Sequence, residues 1–104
     1  MNLKEDGKKE YTIKLSKPYK FENNSYDILD LSGLENITAE EYYEINKRFA
    51  TESYITPKPE IDPKFCTMIA ALAIKQPEIF FDKLPIKDLI KVKDMVITFF
   101  HEEE

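Results

Sequence analysis

Glycine occurs only twice in the chain, cysteine and histidine once each, and tryptophan not at all. Each scarcity closes off some chemistry. Gly7 and Gly33 stand far apart, so there is no glycine-rich loop to wrap a phosphate. A lone cysteine, Cys66, leaves no disulfide within the chain and suits a reducing compartment. Cys66 and His101 do not make a zinc site without carboxylate help, and no ligand spacing accompanies them, so neither metal nor cofactor is expected. Arg48 is the only arginine among fifteen basic residues. Nucleic-acid readers concentrate arginine for phosphate and base contacts, so nucleic-acid binding is not expected. No apolar run approaches the roughly 20 residues that span a bilayer. The first ten residues are charged and lack the apolar stretch of a secretory signal.

The charge that is present is uneven. The net −5 divides into +3 over residues 1–20, −7 over 21–62 and −1 over 63–104. A basic start followed by an acidic middle reads as solvated surface, with 1–9 a flexible lead. Catalytic candidates are few. His101 falls at the end of the last helical pattern, where a cation suits the helix dipole. Cys66 sits on an alanine-rich ridge, where it acts as a small buried hydrophobe. A Cys66–His101 nucleophile–base pair is the enzymatic alternative. The expectation is a protein with no catalytic residues.

What the sequence does have begins with Asp62–Lys75. Asp62 is an N-cap, Pro63 occupies the first helical position, and Pro77 forbids a long continuation. Phe65, Met68, Ile69 and Leu72 share one side, and Cys66, Ala70 and Ala73 form a ridge of small side chains beside them. A helix apolar nearly all round belongs in the core, and the small ridge lets another helix come close.

Tyr11–Leu15 alternates as a half-buried strand does, and the alternation resumes from Tyr19 to Phe21 and at Tyr26 and Ile28. Asn23-Asn24-Ser25 supplies a turn. The pattern slips at Leu29, which predicts a bulge or a strand end. Segment 19–31 therefore reads as a β-hairpin, with 11–15 either a third strand or an extension of it. Its apolar face is expected to carry Ile13, Leu15, Phe21 and Ile28. Thr38 and Glu41 form a capping box that starts a helix over 39–50, with Ile37 and Tyr42 placed as a hydrophobic staple. A proline-rich loop follows over 51–61.

The chain thus reads as one α+β domain, 1–104, with a β part over 10–34 and a helical part over 38–101. A hairpin or three-stranded antiparallel sheet (about 10–31) packs on three main helices (about 39–50, 63–75 and 86–101). The last helix carries apolar residues over an arc of about 220°, roughly twice what a one-sided helix needs. The denser stripe, Ile86, Ile90, Ile97 and Phe100, is assigned to the core. Val92, Met95 and Phe99 are then the candidates for contact with a partner or a second copy of the chain.

Three stretches also carry a family resemblance. Tyr11-Thr-Ile-Lys-Leu-Ser-Lys-Pro-Tyr-Lys-Phe21 resembles the opening strand of the phage tail assembly chaperones. Leu29-Asp-Leu-Ser-Gly-Leu-Glu-Asn-Ile-Thr-Ala-Glu-Glu41 resembles their second strand running into a Thr-capped helix. Leu84-Pro-Ile-Lys-Asp-Leu-Ile-Lys-Val-Lys-Asp-Met-Val-Ile-Thr-Phe-Phe100 resembles their closing helix. The likeness covers residues 10–101 and consists of hydrophobic patterns and caps. Asn23-Asn24 stands where the family's hairpin leads one to expect a glycine, and the 51–61 loop is long. The resemblance implies a non-catalytic protein of the host bacterial cytoplasm. Such a protein binds and solubilises the tape measure protein, forms homo-oligomers, and is absent from the finished virion. The other reading is a small acidic adaptor or inhibitor that binds a protein through the −7 middle segment.

Overall fold

The inward side chains of the first strand are Tyr11, Ile13, Leu15 and Tyr19, all buried, with Phe21 half-buried beyond them. A computed structural model describes residues 11–52 and 62–101. In it β1 runs unbroken from Thr12 to Phe21 and pairs antiparallel with β2 (Asn24–Asp30). The described sheet is this two-stranded hairpin, so 11–15 extends the hairpin and does not add a third strand.

The register shifts in the middle. Ile13 lies opposite Leu29, but Tyr19 lies opposite Tyr26, so β1 carries extra residues between Lys14 and Tyr19. Pro18, which has no N–H to give a ladder, falls in that bulge. β2 compensates by slipping between Tyr26 and Leu29. Leu29 turns inward at 3% exposure and Ile28 outward at 54%. Ile28 therefore leaves the apolar face to which its alternation had assigned it. The turn also differs from expectation. It is made by Glu22 and Asn23, with Glu22 at φ 55°. The left-handed residue is thus a glutamate, where an asparagine was the cheaper choice.

A first 3-10 turn, Ser32–Asn36, leads to α1 (Ala39–Glu52). The capping box forms in both directions. The Glu41 carboxylate accepts the Thr38 backbone N–H at 2.9 Å, and Thr38 Oγ1 accepts the Glu41 backbone N–H at 3.2 Å. α1 runs through Thr51 and Glu52, and the rest of the expected 51–61 loop lies outside the described residues, as does the 1–9 lead. α2 (Pro63–Ile74) is capped by the Asp62 carboxylate, which accepts the Lys64 N–H at 2.8 Å. It stops at Lys75, which adopts φ 60° and lets the Gln76 N–H reach the Ala71 carbonyl. A second 3-10 turn, Glu78–Phe81, precedes α3 (Ile86–His101).

α2 is the centre of the molecule. Eight of its twelve residues are buried, and it touches α1, α3 and both 3-10 turns. The small-residue ridge does permit a close approach, but at Ala73 the element that comes in is the first 3-10 turn. A Cβ placed on Gly33 would sit 2.2 Å from the Ala73 carbonyl oxygen, so only glycine fits. Two aromatic clusters fill the space either side. Phe80 meets Tyr19, Phe21, Tyr26 and Phe81 edge-on at 5.0–5.3 Å between centroids. Phe65 meets Phe49, Tyr42 and Phe100 at 5.5, 6.0 and 6.4 Å.

The face of α3 that packs most deeply is not the expected one, although Ile97 and Phe100 of the expected stripe are half-buried against the core. Val92 and Val96 are fully buried, while Ile86 is 70% and Ile90 45% exposed. Asp88 is the reason. Its carboxylate is completely buried and accepts the Ser16 backbone N–H at 3.0 and 3.2 Å and the Ser16 hydroxyl at 2.9 Å. It lies on the same side as Val92 and Val96, so satisfying it against the β1 bulge turns that side inward. Lys91 Nζ then reaches the Lys14 carbonyl at 2.9 Å and lies 3.6 Å from Asp88.

Candidate partner-binding cleft

Where the first 3-10 turn runs into α1, Leu34 faces the core and Ile37 remains half-exposed. The capping box fixes the direction in which α1 leaves, and this sets Tyr42 one turn in. The C-terminal turns of α3 bring Phe99 and Phe100 alongside, and Ile69 of α2 lies among these residues. Together they enclose an open cleft of about 380 Å³. Glu35 and Thr38 supply its polar edge, and Ala39 stands on the same lining. No lysine or arginine lines it. The exposed carboxylates of Glu40 and Glu41 follow in the first turn of α1.

Ile37, Tyr42, Phe99 and Phe100 are each half-buried, so four large apolar side chains present part of their surface here. Phe99 is held edge-on by Tyr11 at 5.9 Å and Phe100 by Tyr42 at 5.8 Å, which stiffens the wall. A preformed apolar recess with rigid aromatic sides is the kind of place where one large side chain of a partner loses its water.

The three residues singled out in the sequence fare differently. Val92 is fully buried in the chain's own core, which corrects its assignment to an outward face. Met95 is half-buried against that core. Phe99 is half-buried and lines the cleft. Ile37 and Tyr42 were legible in the sequence as a staple, and their place beside Phe99 and Phe100 depends on the tertiary fold. Cys66 is fully buried on α2, and His101 is exposed at the end of α3. Among the described residues no three of His, Cys, Asp and Glu converge as a metal site. No helix among them is long and apolar enough to cross a membrane.

The Tyr19 phenol lies inside the fold and is shifted. Burial raises the Tyr19 phenol above its ordinary value, and the Asp82 carboxylate adds to this, while a backbone hydrogen bond from Lys83 opposes it. The Tyr19 hydroxyl donates to the Phe80 carbonyl, tying β1 to the second 3-10 turn. This is a structural role. Comparison of the chain with protein-family models, with curated proteins and with solved structures gave no match.

Proposed function

We propose that this chain is a non-catalytic phage tail assembly chaperone that binds the tape measure protein in the host cytoplasm and keeps it soluble while the tail tube polymerises. The resemblance over residues 10–101 supports this reading, as does the α+β fold of an N-terminal hairpin on C-terminal helices. The observation that carries it is the aromatic-walled cleft between the start of α1 and the end of α3. A long helical protein presents large apolar side chains at each turn of its exposed face. Taking one into an apolar recess shields it from self-association, at roughly 1.5–3 kcal/mol for each fully covered large side chain.

The test begins with the neighbouring genes, since the reading requires one that encodes a very long helical protein, and continues with co-expression of that product, scored by its solubility and co-purification. Ala39→Glu is the informative variant. It puts a carboxylate at the mouth of the cleft, yet an acid in the first turn of α1 suits the helix dipole and leaves the fold intact. The wild-type chain should hold the partner in solution and the variant should lose it. No effect of the wild-type chain on partner solubility would sink the reading. Binding only to a short basic protein would favour the acidic adaptor.

A further inference from the structure

The recess between the start of α1 and the end of α3 has a charge as well as a shape. Glu35 is exposed on its edge, and among the described residues no ion pair or hydrogen bond engages its carboxylate. Glu40, next to the lining residue Ala39, is exposed and free in the same sense. Glu41 is different, since Thr38 already engages it in the capping box. The cations of α1 do not answer these carboxylates. Arg48 is paired with Glu78 at 2.6 Å, and Lys47 lies about two turns beyond Glu40.

The wall of the recess favours the same sign of partner. Tyr42, Phe99 and Phe100 present ring surface here, and an aromatic face attracts a cation within about 6 Å of its centre. Lysine or arginine suits both features, because the methylene stem lies along apolar surface while the charged head stays in water at the edge. A carboxylate in the same place would meet like charge at Glu35. At about 380 Å³ the recess is near the lower end of the roughly 300–1,000 Å³ that whole small-molecule ligands occupy, so it takes one or two side chains.

We propose that the cleft selects a helical turn of the partner in which a large apolar side chain stands one turn from a lysine or arginine. The apolar side chain fills the recess, and the cation crosses the aromatic wall to Glu35, with Glu40 adding to the field. This rests on the reading of the cleft as the partner-binding site and adds the charge of the segment bound there. The acidic edge then gives the cleft a choice among the apolar turns of a long client, because those flanked by carboxylates are repelled.

Fluorescence anisotropy of the full chain with labelled, alanine-based helical peptides reads this selection. Each peptide carries one Phe with a charged or neutral residue one turn to either side: Lys, Gln or Glu. The Lys peptide should bind at least roughly tenfold more tightly than the Glu peptide, with Gln between, and added salt should narrow the gap. Glu35→Gln with Glu40→Gln should remove most of that gap. Both positions are exposed, so the melting temperature should stay close to that of the wild type. Two further arms test the recess itself. Replacing Phe by Ala in the Lys peptide should abolish binding, and so should Ala39→Glu in the protein, which puts a side chain into the space the Phe needs. Binding that depends on Phe and ignores charge would overturn this proposal and leave the cleft standing as the partner site. Binding that follows charge but ignores both Phe and Ala39→Glu would overturn the cleft as well. Absence of binding by every peptide at millimolar concentration would do the same.

Discussion

Removing the Asp88 carboxylate is the sharpest test of how hairpin and last helix are joined. Asp88→Ala deletes the acceptor for two donors, the Ser16 N–H and the Ser16 hydroxyl. A hydrogen bond to a charged group contributes about 1.5–3 kcal/mol. Ser16 is itself exposed, so its freed donors regain water and the lower end applies to each. Lys91 adds little, since its side chain is 47% exposed and 3.6 Å away. The expected loss is about 3 kcal/mol, out of a typical total of about 5–15. For a domain of this size that lowers the melting temperature by about 12–24 °C. Urea titration followed by far-ultraviolet circular dichroism measures it, with an unchanged slope showing that the unfolded state is not altered. Asp88→Asn keeps an acceptor of the same shape without the charge, and should lose about half as much. Combined with Ser16→Ala in a double-mutant cycle, Asp88→Ala should show a coupling of about 1 kcal/mol. A loss below about 1 kcal/mol for Asp88→Ala would mean that Val92 and Val96 alone orient α3.

Three further outcomes follow from the packing. Gly33→Ala forces the 3-10 turn off Ala73 and should cost about 1–3 kcal/mol, measured by the same titration. Met68→Ala, at a residue 1% exposed on α2, should cost about 2–5 kcal/mol through the cavity it leaves, whereas the same change at half-buried Leu72 should cost less. The Tyr19 phenol is raised in the folded state, so its contribution to stability is complete below the unfolded value of about 10 and is lost as pH rises through the folded value. Stability measured above pH 10 should therefore fall more steeply in the wild type than in Tyr19→Phe.

Where the chain punctuates itself, the fold was readable in advance. Asp62-Pro63 and Pro77 bound α2, and Thr38 with Glu41 starts α1, because these residues act on backbone groups within one turn. The errors arise where a distant partner decides. Counting apolar bulk put the isoleucines of α3 inside, whereas one buried carboxylate with a partner on β1 turned the valine side in. Asparagine's tolerance of positive φ placed the turn one residue late: Asn23 is in it, but the strand register closes Phe21 on Asn24 and puts Glu22 at the left-handed corner. The slip at Leu29 was visible as a break in alternation, but its consequence for Ile28 required knowing that β1 bulges opposite. The cleft draws on the first 3-10 turn, α1, α2 and α3, and no local pattern announces a recess built from four elements.

The hydrogen bonds that fix β1 reach far along the chain. Ser16 waits for Asp88, 72 residues later, and Lys14 for Lys91, 77 residues later. A lone hairpin is marginal in water. At a synthesis rate of about 5–20 residues per second, the strand face carrying Ile13, Leu15 and Tyr19 therefore stands uncovered for about 4–15 s before its helix exists. A newborn copy of this protein spends those seconds as a chain with an exposed apolar surface. It is then in the same condition as the client that the cleft is proposed to shelter.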